Sequence, residues 1–318
     1  MIRRRSVLTA ALGGAGALAL AACQGQDDAG GGGGGSGASD AGGSDASALA
    51  GVTIGGPADG EPTVSFSAPL SITRPEGKVV TTGSGEPLTA GQSVITRSVY
   101  VNAADGTVLQ SYWKGAPESV LSVVPEMIGE PAAQFLTGVP LGSRVAMTGW
   151  QRSQDGSTFA LVQVADLVEA IAARASGTPQ TPDPALPAVT LADNGAPSLE
   201  APPTGNPPTE TQRSVLIQGT GRPTAAGDTL YMHYTGWKWS DGSTFDSSWE
   251  RGAPFSFVLG QQQVITGWDA QLVGLPVGSQ VELVIPPKDA YAGSGNELEN
   301  ETLVFVADIL HASAPRTS

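Results

Sequence analysis

The side chains able to do covalent chemistry are few, and their spacing does not bring them together. Cys23 is the only cysteine among 318 residues. His233 and His311 are far apart, with no Cys or carboxylate at zinc-ligand spacing, and His233 alternates away from Tyr234, so both are expected on the surface. Glu297, Glu299 and Glu301 form an acidic run without the Asp-rich loop and central glycine that calcium takes, which reads as a solvated loop. No Gly-rich segment follows a strand and opens a helix as a phosphate cradle, and no Ser sits in a nucleophile elbow. Thiolate, hydrolytic and nucleotide chemistry have no support, and neither metal nor cofactor is expected. What remains is a concentration of large aromatic side chains in the last third, Tyr234, Phe245, Phe255, Trp268, Tyr291 and Phe305, with Asp246 among them. Taken singly, such aromatics are core residues more often than a binding site.

The elements that carry them alternate with period two. Leu230, Met232 and Tyr234 share one face, as do Phe255, Phe257 and Leu259, then Val281, Leu283 and Ile285, then Leu303, Phe305 and Ile309. These are half-buried strands, separated by the Gly, Pro, Asn and Asp of antiparallel connections. Between Val264 and Val273 the pattern changes, because Trp268 and Leu272 lie four apart on one side of a short helix. One sheet packed on one helix is expected.

The same pattern occurs twice. Gly91 and Gly227, Asp105-Gly106 and Asp241-Gly242, Trp113 and Trp249, and Gly138-Val139-Pro140-Leu141-Gly142-Ser143 and Gly274-Leu275-Pro276-Val277-Gly278-Ser279 are each separated by 136 residues. Val164-Ala165-Asp166-Leu167 matches Val306-Ala307-Asp308-Ile309 at 142, which puts six extra residues between Pro286 and Glu301 of the second copy. Two copies of one domain are implied. An extended segment before each copy also recurs, as Pro62–Phe66 and Pro187–Leu191.

The segments His233-Tyr234-Thr235-Gly236, Asp241 to Ser248, Val264-Ile265-Thr266-Gly267-Trp268, Val277-Gly278 and Thr302-Leu303-Val304-Phe305 resemble, in order and spacing, the FKBP-type prolyl isomerases, over roughly Val215 to Ala312. The resemblance implies an α+β fold, a twisted antiparallel sheet wrapped around a short helix, in each of two FKBP-like domains after a disordered N-terminal segment. It implies a peptidyl-prolyl cis/trans isomerase. Trp268 would form the floor of an aromatic cavity, with Tyr234, Phe245, Phe255, Val264, Ile265, Tyr291 and Phe305 as walls or rim. Asp246 would be its polar group, oriented by Arg251. The Ile265 N–H and the Tyr291 hydroxyl would hold one carbonyl while the other side turns. The amide barrier of about 18–20 kcal/mol comes from lone-pair delocalisation that the twisted state loses. A cavity that strips water from the amide therefore favours rotation without breaking a bond. A peptide-binding chaperone or adaptor with little turnover is the alternative.

Two departures stand out. The loop from Ala292 to Glu301 is shorter and more acidic than the family's, with only Leu298 apolar, and Asp289 holds a position that is often aromatic. In the first copy Ser98, Leu109, Gln110 and Ala132 stand where the second has Tyr234, Phe245, Asp246 and Trp268, and nothing corresponds to Tyr291. Val145, Met147, Leu161 and Val164 can still build a core, so an inactive domain is expected, a spacer or a protein-binding surface with Tyr100, Tyr112 and Trp113 as contacts.

The N-terminus reads as an address. Arg3-Arg4-Arg5 precedes an apolar run from Val7 to Ala22, too short for a comfortable transmembrane helix, which ends in Leu20-Ala21-Ala22-Cys23. This looks like a bacterial lipobox, so residues 1–22 are expected to be a signal peptide, Cys23 to be lipidated, and the protein to be extracytoplasmic and membrane-anchored. Residues 23–60, rich in Gly and Ser, are expected to be a tether of about 30 Å reach. Residues 61–172 would form the degenerate domain, 173–186 a Pro-rich linker, and 187–314 the isomerase domain. Without Arg3, Arg4 and Arg5 the chain carries 13 basic against 30 acidic side chains, which argues against nucleic acid. The expected partners are proline-containing polypeptides outside the cytoplasm, the membrane through Cys23, and a protein on the degenerate domain.

Overall fold

The computed structural model describes residues 47–153 and 156–315. The expected signal segment, Cys23 and the tether up to residue 46 lie outside them. The chain divides into two compact units that meet in sequence between residues 170 and 171.

The first unit contains β1 (Thr53–Gly55), β2 (Thr63–Ser65), β3 (Glu76–Thr81), β4 (Ser93–Asn102), β5 (Val108–Ser111), β6 (Ser119–Ser122), the short helices α1 (Pro125–Ile128) and α2 (Glu130–Leu136), β7 (Arg144–Arg152) and β8 (Thr158–Ile171). Its six-stranded sheet has the order β3-β7-β8-β4-β5, with β6 also on β4. The second unit contains β9 (Thr178–Pro179), β10 (Val189–Leu191), β11 (Pro197–Leu199), β12 (Gln212–Gln218), β13 (Thr229–Lys238), β14 (Thr244–Ser247), β15 (Phe255–Val258), α3 (Thr266–Gln271), β16 (Gln280–Ile285) and β17 (Leu303–Ser313). Its sheet order is β14-β13-β17-β16-β12-β9, with β15 also on β13. Apart from the added β9 the two orders correspond strand for strand, and every described pairing within them is antiparallel.

The recurring Gly-x-Pro-x-Gly-Ser segment explains part of this identity. In each unit it forms the turn before a central strand, and its proline bridges a proline upstream, Pro87 to Pro140 and Pro223 to Pro276. Its serine takes the N–H of a glycine crossing beneath, Ser143 from Gly83 at 2.9 Å and Ser279 from Gly219 at 3.0 Å. A Cβ on Gly219 would lie 2.4 Å from the Val277 carbonyl oxygen, and one on Gly83 2.2 Å from that of Leu141. Only glycine permits that approach.

In the second unit the inner sheet face meets α3 in a core of Leu230, Met232, Phe257, Leu272, Val281, Leu283 and Ile309 around Trp268. Trp268 and Leu272 do face the same side, as their spacing requires, but the helix is only six residues long and Leu272 caps it. The outer face is covered too. The hairpin β10–β11 and Leu186 lie on Trp237, Val284, Val304 and Val306. In the first unit the hairpin β1–β2 and Leu49 lie on Val99, Val101, Ala146, Val162 and Val164. The recurring extended segment is thus one strand of a covering hairpin in each unit.

Two boundaries change as a result. Residues 48–60 are not tether: Leu49 and Val52 are buried, and the guanidinium of Arg144 donates to the carbonyls of Pro57, Ala58 and Gly60 at 2.9–3.1 Å while pairing with Asp166 at 2.6 Å. Residues 173–186 are not a free spacer either. Ala175 is buried and donates its N–H to Asp308 at 2.7 Å, β9 extends the sheet, and the Asp183 N–H meets Ser214 Oγ at 3.1 Å. Prolines made both segments look extended, and they are; extended backbone can pin to a sheet as readily as it spans solvent.

Candidate functional site

The last strand and the first long one of the second sheet lie side by side, with Gly236 opposite Phe305. Tyr234, on β13, and Phe305, on β17, point inward beside Trp268, the third residue of α3. Their rings meet edge to face: Tyr234 to Trp268 at 5.0 Å and Trp268 to Phe305 at 5.1 Å between centroids. Phe245, on β14, meets Phe305 at 5.6 Å, and Phe255, on β15, meets Tyr234 at 5.7 Å. Offset and T-shaped contacts of this kind contribute about 0.5–1.5 kcal/mol each beyond burial. Trp268, Tyr234 and Phe305 are nearly inaccessible, whereas Phe245, Phe255, Val264, Ile265 and Tyr291 remain half-exposed. The result is an aromatic hollow with a buried floor and an open rim. Phe257 stands behind the floor, 5.8 Å from Trp268. The period-two pair Phe255 and Phe257 already put it on that face, but nothing in the pattern told lining from backing.

Three polar groups converge at one side. The Tyr234 hydroxyl donates to Asp246 Oδ2, and Arg251 Nη1 donates to Asp246 Oδ1. Arg251 Nη2 closes the triangle on the Tyr234 oxygen at 3.0 Å. Burial first, then the hydrogen bond to Asp246, pushes the Tyr234 hydroxyl up, so it stays protonated and donating. Burial opposes the charge on Arg251, but its bonds to Asp246 and Tyr234 outweigh that and raise its pKa. Tyr291 is raised by burial and by the nearby Asp246 charge, and is a donor as well.

Ile265 precedes α3 in an extended conformation and caps it. Its carbonyl accepts the N–H groups of Trp268 and Asp269, while its own N–H has no partner among the described residues. The indole N–H of Trp268 is buried and equally unpartnered. A donor at the rim and a donor at the floor are therefore available to an acceptor that enters the hollow. The loop after Tyr291 is exposed from residue 292 to 297, and Leu298 turns back into the core.

His233 departs from expectation. It is only 9% exposed, stacks on Trp249 at 4.2 Å, and its Nδ1 lies 2.9 Å from Ser248 Oγ. Desolvation, then the Arg251 charge, lowers its pKa to about 4, so the ring is neutral at physiological pH. Alternation correctly turned it away from Tyr234, but the outward face is covered here.

In the first unit the corresponding positions hold a closed polar network. Gln163 Nε2 donates to Tyr100 Oη at 3.0 Å and to Ser98 Oγ at 3.1 Å, all three buried. Tyr100 occupies the position of Gly236, where a Cβ would lie within 3 Å of both Phe245 and Phe305, so its ring fills the space that those rings line in the second unit. Tyr100 is consequently not a surface contact. Tyr112 and Trp113 are half-buried, edge to face at 5.5 Å.

A family model for the FKBP-type peptidyl-prolyl cis-trans isomerase matches residues 221–310. The FK506-binding protein of Streptomyces anulatus is 42% identical over 121 residues, 36% of this chain and 98% of that one. The chain belongs to the FKBP-type family. The probable FK506-binding protein of Corynebacterium glutamicum is 38% identical over 118 residues, again 98% of its length. FK506-binding protein 2B of Rhizopus delemar is 42% identical over 111 residues, 33% of this chain and 53% of that protein. The family is one of peptidyl-prolyl isomerases, and the matched residues contain the hollow, the polar triangle and α3.

Proposed function

We propose that the second unit isomerises X-Pro bonds of polypeptides outside the cytoplasm without covalent chemistry. The observation that carries this reading is the aromatic hollow floored by Trp268, with unpartnered N–H donors on Trp268 and Ile265. A prolyl ring buried among Trp268, Tyr234, Phe255 and Phe305 takes its amide out of water, whose hydrogen bonds favour the planar form. The Ile265 N–H and the Tyr291 hydroxyl hold a carbonyl in place while the bond turns. Asp246, both oxygens occupied by Tyr234 and Arg251, acts by orienting those donors and by its field at the rim. The first unit is a degenerate copy that does not catalyse. Lipidated Cys23 tethers the chain to a membrane; among the described residues no helix is long and apolar enough to cross one.

The test is an X-Pro peptide isomerisation assay on the full chain and on Tyr291→Phe. Loss of one hydrogen bond to the turning amide should lower kcat/KM by up to about tenfold. A chain that binds proline peptides but does not accelerate their isomerisation would favour the chaperone or adaptor reading instead.

A further inference from the structure

β14 and β15 pair with the same edge of β13, Ser247 opposite Thr235 and Phe255 opposite Met232. The chain between them therefore leaves the sheet beside His233 and Tyr234. Ser248, fully buried, fills the break: its N–H donates to the Tyr234 carbonyl at 3.0 Å, and its Oγ accepts the Tyr234 N–H at 2.8 Å. Because successive residues of a strand face opposite sides, His233 and Tyr234 lie on opposite faces of this edge. Trp249 stacks on His233 on one face, with ring planes 24° apart, while Arg251 reaches the Tyr234 hydroxyl and Asp246 on the other. The buried indole N–H of Trp249 has no partner among the described residues, so ring contact rather than a hydrogen bond holds it.

We propose that the His233–Trp249 stack is a positioning device: it clamps the segment 248–254 across the edge of β13 and so fixes Arg251, and through it Asp246 and Tyr234. The first unit offers the contrast. Arg97 holds the position of His233 and lies over the Tyr112 ring at 5.1 Å, and Trp113 meets Tyr112 edge-on rather than a stacked partner. Where that clamp is missing, Gly115 and Gln110 stand at the positions of Arg251 and Asp246. The clamp's catalytic consequence rests on the isomerase reading; its mechanical consequence does not.

Two measurements on the full chain separate them. One is kcat and KM for an X-Pro peptide with Trp249→Ala and Trp249→Phe. The other is ¹⁵N relaxation of the Arg251 Nε–H, assigned by its disappearance in Arg251→Lys. Trp249→Ala, melting above the assay temperature, should release the Arg251 signal to fast motion and lower kcat about tenfold with KM within about twofold, while Trp249→Phe keeps both near the unaltered chain. If Trp249→Ala does not fold, Trp249→Leu keeps the bulk without the ring and is read the same way. An Arg251 that stays rigid without the ring overturns the proposal, as does a loss shared by Trp249→Phe. If the unaltered chain shows no catalysis the isomerase reading fails, and the relaxation measurement alone decides the clamp.

Discussion

Single side chains set both the shape and the pH response of the second unit. Gly236 stands opposite Phe305 because a methyl there would lie 2.7 Å from Phe245 and 2.9 Å from Phe305. Gly236→Ala should therefore push both rings into the hollow, costing about 1–3 kcal/mol of stability and most of the peptide affinity, as read by denaturation and by KM. Glu282 is buried on the outer sheet face, where the first unit has Ala146, and one of its oxygens has no partner among the described residues. Burial, and then the nearby Asp183 charge, raises its pKa to about 8. Because this lies above the unfolded value of 4.5, its contribution to stability is complete below pH 4.5 and is lost as pH rises through 8. Glu282→Gln should melt with the unaltered chain near pH 4.5 and about 5 °C higher near pH 8. An equal difference at both pH values would contradict the assignment. The aromatic residues of the site were legible because they stand at period-two positions in strands and at helical spacing in α3. His233 and Glu282 were not. Alternation says which residues leave the inner face, and it is silent on whether something covers the other.

At the scale of elements, the turn containing Ser143 or Ser279 and the glycine beneath it were visible as a repeat, and the geometry supplies the reason. The ends of each unit were less legible. Composition marked residues 48–60 and 173–186 as Gly-, Ser- and Pro-rich, but pinning depends on a few distant polar partners. In the first unit Arg144 and Asp166 hold the incoming segment; in the second Gln280 and Asp308 stand at those positions, and Asp308 takes the Ala175 N–H. Removing one member of a buried ion pair leaves the other without compensation, at a cost of about 3–5 kcal/mol. Arg144→Ala should therefore free residues 48–60 for rapid proteolysis while the β10–β11 hairpin of the second unit stays resistant. Cleavage at the same rate in both proteins would show that the hydrophobic seat of Leu49 and Val52 suffices.

Across the whole molecule, one strand order is used twice with different contents. The second unit lines its inner hollow with Tyr234, Phe245, Trp268 and Phe305 and leaves donors free. The first fills the same place with Tyr100, Gln163 and Ser98 bonded to one another. The duplication and the loss of the aromatic set were plain in the sequence, since substitutions at matched positions need no coordinates. Tyr100 filling the vacated space was not, because it depends on the glycine opposite Phe305 in the other copy. The account stands on catalysis arising from one pocket. Its most direct test is kcat/KM for X-Pro isomerisation by the full chain with Asp246→Asn against the full chain with Gln110→Asn, melting temperatures checked in both. Asp246→Asn should lose about tenfold or more, because the ion pair that orients Tyr234 and Arg251 is gone, and Gln110→Asn should match the unaltered chain. Undiminished catalysis in Asp246→Asn, or a comparable loss in Gln110→Asn, would contradict it.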